Sequence, residues 1–363
     1  MGLKKISQIV GALALSATFA QATLTADFHG IKGNANEVSK AFVKKIGTIG
    51  YETVSSNDNI QIHYYNRYKE KNLDLLSFFT MVNKEKIREL LLHNPDFGAY
   101  APFNMLFYKT LDKKEDTTWY GHLDSNLMLD IIGEKDEGMR TKFKDMVSDM
   151  DKFAAKELKP TTSKKLEFDG TIPKQPLLKM VKKFEGVDDL EEFIEEFISR
   201  HDVTFSKHEF IIAGFIDFKF EYEDMELEFD KYDAYWVSSL CHFQFSNSVF
   251  NHGEPQAGVY APCSVYFYIP KGTNELHVGY ATVENWTNST GIDDKAKLDY
   301  MNRIADEVLE VFKELGFAVE ETGGVSEEAG STTRDLVGEI AELKALVGRL
   351  TTEIEELKKK VTK

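Results

Sequence analysis

The two cysteines and the histidines beside them are the most chemically reactive residues of this chain. Cys241 is followed by His242, and His252 lies between Cys241 and Cys263. A thiolate next to an imidazole can act as a nucleophile, and Cys with His can bind a metal. However, no third group is placed to orient His252. Cys241 and His242, as strand neighbours, point to opposite faces, with Cys241 on the core face and His242 on a more polar one. The sequence therefore predicts neither a catalytic residue nor a metal site.

Cys263 belongs to a motif that occurs twice in the chain. Residues 95–108 read PDFGAYAPFNMLFY and residues 255–268 read PQAGVYAPCSVYFY, with seven identities in fourteen positions at a constant offset of 160. A repeat of this period indicates two copies of a whole domain rather than a stack of small units. We expect these domains to occupy residues 23–160 and 161–319.

The repeat also provides a comparison for the cysteines. At the offset of 160, Cys241 aligns with Met81 and Cys263 with Phe103. Because the first copy has larger apolar side chains at both places, the comparison favours two small, buried hydrophobic residues. Two alternatives stay open, which are a disulfide between Cys241 and Cys263 and a reactive thiol.

The sharp turn of each copy is the best candidate for a small-molecule site. The prolines force the preceding alanines out of the helical region and end the helix before them. Two equivalent turns with aromatic neighbours could each line a pocket. The candidate ligand-binding residues are Tyr100, Pro102, Tyr260, Pro262 and Cys263. The chain has no Gly-rich phosphate loop, nucleophile elbow or His-Glu-x-x-His motif, so the ligand and any cofactor stay unknown.

Each copy repeats the same order of elements: a strand, an amphipathic helix, further strands, a hairpin after the turn, and a long helix. Strands are expected at 24–29, 51–65, 73–82, 104–110 and 117–123, and again at 177–184, 207–220, 235–245, 264–269 and 275–283. The long helices have apolar residues at helical spacing, which include Phe143, Met146 and Met150 in the first copy. This order predicts an α+β fold in which helices cover one face of a mainly antiparallel sheet.

The repeated block resembles the bacterial family called domain of unknown function 302. The resemblance rests on Pro-x-x-Gly-x-x-x-Pro-Cys followed by a strand with an aromatic pair. The second copy has Leu240-Cys241-His242, Pro255, Gly258, Pro262-Cys263 and Val265-Tyr266-Phe267-Tyr268. The first copy keeps Pro95, Gly98 and Pro102 but has Phe103 in place of the Cys, so chemistry tied to that Cys should be absent there. The resemblance implies α+β domains of TATA-box-binding-protein-like topology, which also occur duplicated, and no established activity.

The N-terminal sequence is typical of an exported protein. Lys4 and Lys5 precede an apolar run at 9–19 and an Ala-x-Ala end, so we expect a signal peptide at 1–22 and a periplasmic or secreted location. The run is too short to span a bilayer, and no stable membrane insertion is expected. The formal net charge is −16, from 60 acidic and 44 basic residues. This charge disfavours nucleic acid and anionic lipid as partners.

The C-terminal sequence predicts self-association. A Gly-, Ser- and Glu-rich linker at 320–335 precedes a predicted coiled coil at 336–363. Apolar residues alternate spacings of four and three, with Leu at d and β-branched residues at a, which favours a parallel homodimer; Leu346 at a g position keeps a trimer open. The predicted seam is Leu336, Ile340, Leu343, Val347, Leu350, Ile354, Leu357 and Val361.

Three hypotheses of function follow from these patterns. The first is an exported, non-enzymatic binding or assembly protein that oligomerises through the coiled coil. The second is a thiol-linked or redox enzyme centred on Cys263 and Cys241. The third is a carrier of haem or a metal. The absence of a catalytic constellation, together with the export signal and the coiled coil, favours the first hypothesis.

Overall fold

The chain forms two six-stranded antiparallel sheets, one from each repeat. The computed structural model describes residues 22–319. Most of the predicted signal peptide, the linker from Glu320 onward and the whole predicted coiled coil lie outside the described residues. The α+β class expected from the sequence is confirmed, with two antiparallel sheets and packed helices.

The first repeat begins at the N-terminal end of the described chain. Its elements are β1 (Thr23–Lys32), α1 (Asn36–Val43), β2 (Glu52–Asn57), α2 (Ile60–Tyr68), β3 (Leu73–Val82), α3 (Lys84–His93), β4 (Phe103–Thr110), β5 (Thr117–Gly121), α4 (Ser125–Ile131), α5 (Glu137–Leu158) and β6 (Thr162–Phe168). A 3₁₀ helix, Pro95–Tyr100, connects α3 to β4 and is called the first turn below.

The second repeat has the same order of elements. They are β7 (Leu177–Lys183), α6 (Leu190–Lys207), β8 (Phe210–Asp217), α7 (Phe218–Asp224), β9 (Tyr232–His242), α8 (Phe243–Ser246), β10 (Cys263–Pro270), β11 (Glu275–Ala281), α9 (Val283–Ser289), α10 (Lys295–Glu314) and β12 (Ala318–Val319). The 3₁₀ helix Pro255–Tyr260 is called the second turn.

The strand orders of the two sheets correspond one to one. The order is β2-β3-β4-β5-β1-β6 in the first sheet and β8-β9-β10-β11-β7-β12 in the second. β6 pairs with β1 through residues that include Thr162 and Phe168. The first sheet therefore includes a strand that begins two residues after position 160, where the sequence places the end of the first domain.

Both faces of the central strands are buried, which explains why these strands are almost continuously apolar. In β4 the side chain of Phe107 faces the helical layer and contacts Phe42 of α1, with ring centroids 6.3 Å apart. The neighbouring Leu106 points the other way, to Gly258 of the second repeat. Alternate residues of one strand thus pack against helices and against the other repeat.

Two expected strands are shorter than the aromatic and β-branched residues suggest. The segment 51–65 divides into β2 and α2 at Asn59, whose left-handed backbone (φ 57°) ends the extended chain. The segment 207–220 divides at Asp217, whose carboxylate accepts a hydrogen bond from the backbone N–H of Phe220 and caps α7. No helix within residues 22–319 has the length and apolar composition needed to cross a membrane.

Candidate functional site

The repeated turns lie between the two repeats and pack on each other's sheets. A Cβ added to Gly98 in the first turn would lie 2.5 Å from Cβ of Tyr266 on β10. A Cβ added to Gly258 in the second turn would lie 3.1 Å from Leu106 on β4. Tyr266 and Leu106 are equivalent at the offset of 160, so the two contacts are related by an approximate twofold axis. The glycines of the motif are required because the backbone approaches the opposite sheet closely.

Hydrogen bonds reinforce this contact between the repeats. The buried Asp96 in the first turn accepts from the Tyr266 hydroxyl (2.6 Å), and Lys179 of β7 lies 2.9 Å from its other oxygen. The Asn104 amide on β4 donates to the carbonyl of Gly258 at 3.0 Å. The repeated turn motif therefore forms the junction between the two repeats.

The five predicted ligand-binding residues do lie together. Tyr100, Pro102, Tyr260, Pro262 and Cys263 all line one space of about 30 Å³ at the junction. That volume is about the size of a single water molecule. Two buried polar atoms there, the Tyr100 hydroxyl and Asn104 Oδ1, have no hydrogen-bond partner among the described residues.

A much larger cavity, of about 420 Å³, lies between the sheet and the helices of the second repeat. Exposed polar residues, including Lys174, Glu284 and Asp306, line one side of it and form its rim. The rest of the wall is apolar and buried or half-buried. It comprises Leu178, Phe210, Leu240, Phe245, Val265, Tyr280, Trp286, Ile304, Val308 and Leu309, together with His242 and Cys263.

The first repeat fills the corresponding place with the ring of Phe103. This ring contacts Tyr51 edge-on at 6.2 Å and His122 at 5.4 Å between centroids. The Tyr51 hydroxyl donates a hydrogen bond to the Met146 carbonyl (2.5 Å), which connects Tyr51 to helix α5. Cys263 stands where Phe103 does, immediately after the turn, and leaves this volume open in the second repeat.

The long helix adds to the difference between the repeats. Asp136 caps α5 and Asp294 caps α10. Counted from these caps, Val308 of α10 replaces the longer Met150 of α5. Two cavity-lining side chains of the second repeat are large, and each stacks on another aromatic ring: Trp286 on Tyr260 (5.3 Å) and Tyr280 on Phe312 (5.5 Å).

Strand register corrects the sequence alignment around the cysteines. Met81 pairs with Phe103 and Leu240 with Cys263, so Met81 corresponds to Leu240. Cys241 is therefore equivalent to Val82, not to Met81 as the constant offset suggests. The shift arises because Phe103 follows Met81 by 22 positions whereas Cys263 follows Leu240 by 23, so the segment between these strands is one residue longer in the second repeat.

The same register makes His242 equivalent to Asn83. Asn83 caps α3 by accepting from the Lys86 N–H at 3.0 Å, and His242 Nδ1 accepts from the Phe245 N–H at 3.1 Å. His242 is 6% exposed and lines the apolar cavity. The expectation that His242 faces a more polar side than Cys241 is therefore wrong. Burial lowers the pKa of His242 although Glu307 and Glu209 act in the opposite direction.

The two cysteines are free thiols whose side chains leave opposite faces of the sheet. Cys263 is paired with Leu240, and both line the cavity under α10. Cys241 instead lines a groove of about 740 Å³ between the repeats, which also contains Arg67 and Glu209. The structure thus does not bring the two sulfurs together as the disulfide alternative requires. Burial raises the pKa of Cys241 to about 11 and that of Cys263 to about 12, which keeps both thiols protonated at neutral pH.

The remaining candidates for chemistry do not converge on Cys263. His252 Nε2 lies 2.7 Å from the Glu70 carboxylate of the first repeat. Within residues 22–319, no group of three or more His, Cys, Asp or Glu side chains is arranged to hold a metal ion. The His242 side chain at the cavity wall was missed by sequence reasoning, because only the strand register shows that it is an N-cap facing inward.

A solved structure of a bacterial protein is similar to part of this chain. No family model matches the chain, and no curated protein matches it. The crystal structure of the uncharacterized conserved protein DUF302 from Bacillus stearothermophilus is similar with a TM-score of 0.31 and 12% sequence identity. The match covers 38% of this chain and 98% of that chain. Its description names the same family that the repeated motif resembles.

Proposed function

We propose that this chain is an exported, non-enzymatic binding protein that takes a small apolar molecule into the cavity of its second repeat. The observation that carries the proposal is the 420 Å³ apolar cavity, which stands where the first repeat has Phe103. Ligand pockets are commonly 300–1,000 Å³ in volume and mostly apolar, with few polar groups. This cavity has those properties.

Differences between the repeats support a role for the cavity beyond imperfect packing. A core that only needed to fold would be filled, because an empty apolar volume forfeits packing contacts. The first repeat has larger side chains at two equivalent positions, Phe103 for Cys263 and Met150 for Val308. An apolar ligand would restore the lost contacts and gain about 25 cal/mol for each Å² of apolar surface removed from water.

The finer features expected from the sequence belong to the same proposal. We propose two domains of TATA-box-binding-protein-like topology, a signal peptide that directs the chain to the periplasm or outside the cell, and a parallel coiled-coil homodimer or trimer. Lys4, Lys5 and the apolar run motivate the export signal. N-terminal sequencing of the mature protein should begin at or near Thr23, and protein found only in the cytosol with Met1 intact would contradict export.

A fluorescent probe tests the binding proposal directly. N-phenyl-1-naphthylamine is uncharged and becomes fluorescent in apolar surroundings, so it should bind the full-length protein with saturation. Cys263→Phe, which introduces the residue of the first repeat, should abolish that binding and leave the circular dichroism spectrum unchanged. Leu111→Phe is the matched control, because it adds the same ring at a position that is 43% exposed and lines none of the cavities described above. Undiminished binding to Cys263→Phe would refute the proposed site.

A further inference from the structure

The wall of the cavity carries a buried histidine whose second ring nitrogen is not used by any described protein group. His242 Nδ1 accepts the Phe245 backbone N–H, so this nitrogen carries no proton. A neutral imidazole with Nδ1 unprotonated has its proton on Nε2. Among the described residues Nε2 has no hydrogen-bond partner, and the side chain is more than nine-tenths buried at the cavity wall.

A hydrogen-bond donor at the wall of an apolar cavity needs an acceptor, and a bound molecule can supply it. Leaving a buried polar group unpaired costs about 1–3 kcal/mol. The walls around His242 are apolar, and its ring contacts Phe210 edge-on at 4.9 Å. An oxygen on an otherwise apolar ligand is therefore the natural partner of the Nε2–H group.

The charge around the cavity indicates that this ligand is uncharged. Two of the exposed charged residues at the rim are acidic, Glu284 and Asp306, and one is basic, Lys174. The whole chain has a net charge of −16. A carboxylate entering the apolar cavity would lose its hydration, and Lys174 at the rim is outnumbered by the two acidic residues there.

We infer that the cavity selects a neutral, largely apolar molecule that carries a carbonyl oxygen, and that His242 Nε2–H donates a hydrogen bond to that oxygen. This inference rests on the proposed function, since it requires that the cavity bind a ligand. It assigns His242 two tasks: Nδ1 caps α8 and Nε2 recognises the ligand. The equivalent Asn83 in the first repeat performs only the first task.

Three probes of one shape separate the parts of this inference. 2-Acetylnaphthalene has a carbonyl oxygen, 2-isopropenylnaphthalene has a CH₂ group in its place, and 2-naphthoate has a charged carboxylate. Each is titrated against N-phenyl-1-naphthylamine bound to the full-length protein. The ketone should bind about three- to tenfold more tightly than the alkene, as one net hydrogen bond gives. The carboxylate should bind more weakly than the ketone.

His242→Asn is the decisive variant, because asparagine keeps the helix cap but is too short to present a donor at the position of Nε2. It should bind the alkene as the unaltered protein does, and the preference for the ketone should fall to about one. A change in the ¹⁵N shift of His242 Nε2 on adding ketone to the unaltered protein is an independent readout that does not depend on the variant.

The possible results distinguish the inference from the proposed function. Equal binding of ketone and alkene, or an unchanged preference in His242→Asn, overturns the role of His242 and leaves the cavity as a binding site. Tightest binding of 2-naphthoate overturns the neutral class of ligand. Failure of the ketone and the alkene to displace the fluorescent probe overturns both the inference and the proposed function.

Discussion

Phe103 and Cys263 occupy the same position in the two repeats, and the ring of Phe103 takes up volume that Cys263 leaves open. Phe103 is 3% exposed and packs between Tyr51 and His122. Cys263 borders both the cavity of the second repeat and the small space at the junction. Two copies of one fold therefore have differently packed interiors.

Truncating these two side chains should have unequal effects. Phe103→Ala removes a buried ring from a filled core and should cost about 3–5 kcal/mol of unfolding free energy. Cys263→Ala removes one sulfur beside an existing cavity and should cost less than about 1.5 kcal/mol of unfolding free energy. Urea unfolding of both variants gives the two values. Equal costs would mean that the second repeat is as tightly packed at this position as the first.

The turn glycines should also differ in their tolerance of a methyl group. In Gly98→Ala the new Cβ would lie 2.5 Å from Cβ of Tyr266, which is fixed to the backbone, so the cost should be about 1–3 kcal/mol or more. In Gly258→Ala the nearest atoms are the ring edge of Phe78 (2.9 Å) and a methyl of Leu106 (3.1 Å). These ends can move, so the cost should be smaller.

Gly47→Ala provides the control for these variants. A Cβ at Gly47 has no atom within 4 Å, and its backbone is not left-handed. This variant should be neutral or stabilising by about 0.4–1 kcal/mol, because alanine restricts the unfolded chain. Thermal unfolding of the three variants should rank Gly47→Ala as most stable and Gly98→Ala as least stable, and any other order would contradict the close packing of the first turn.

Patterns in single segments were sufficient to predict most of the fold. The limits 73–82 match β3, and the stripe of Phe143, Met146 and Met150 is the buried face of α5. The segment 51–65 was mistaken for one strand because its aromatic residues suit either structure. Its division depends on the backbone of Asn59, which no periodicity reveals.

The candidate site could be predicted only in part, because its geometry depends on contacts between segments. The turn motif can be recognised in the sequence, and its residues do cluster in the structure. Its packing against the other repeat cannot be predicted from the sequence of either copy alone. The cavity arises from differences between equivalent residues, such as Cys263 for Phe103. The inward direction of His242 depends on a one-residue register shift that an ungapped alignment does not contain.

The buried Asp96 makes the Tyr266 hydroxyl a contributor to the junction. Tyr266→Phe removes a 2.6 Å hydrogen bond to a carboxylate that is 6% exposed, so the variant should lose about 1–3 kcal/mol. Tyr108→Phe is a suitable control, because Tyr108 is also buried on a central strand of its sheet. Urea unfolding measures both. A loss no larger than that of the control would indicate that Lys179 alone satisfies Asp96.

His122 should make the first repeat less stable as the pH rises through the raised pKa of its imidazole. Its Nδ1 lies 2.7 Å from the Leu123 carbonyl and its Nε2 lies 2.8 Å from Asp151, so both nitrogens face acceptors. Burial alone lowers the pKa of His122, but Asp151 and the carbonyl outweigh it and raise that pKa above its ordinary value. The stabilisation is complete below about pH 6.5, the value of an unfolded histidine, and is lost as the pH rises through the folded-state pKa.

His122→Gln isolates this contribution, because glutamine has no charge to lose. The difference in unfolding free energy between the unaltered protein and the variant should be largest near pH 6 and decrease towards pH 9. Urea unfolding at several pH values gives that difference and cancels the other histidines. A difference that is constant with pH would show that His122 is neutral in the folded protein.

The predicted seam from Leu336 to Val361 should set the oligomeric state. It spans 26 residues, about 39 Å of helix, and such a segment is marginal unless it buries its a and d residues against copies of itself. Full-length protein should therefore sediment as a dimer or trimer. The chain should be truncated after Val319, because Phe317 is 5% exposed and Ala318–Val319 pairs with β7. This truncation should release a folded monomer. Leu343→Lys with Leu350→Lys should dissociate the oligomer, whereas Ala345→Lys with Thr352→Lys, at outer positions, should not. If the truncated protein still forms an oligomer, the interface lies on the two repeats and not on the predicted coiled coil.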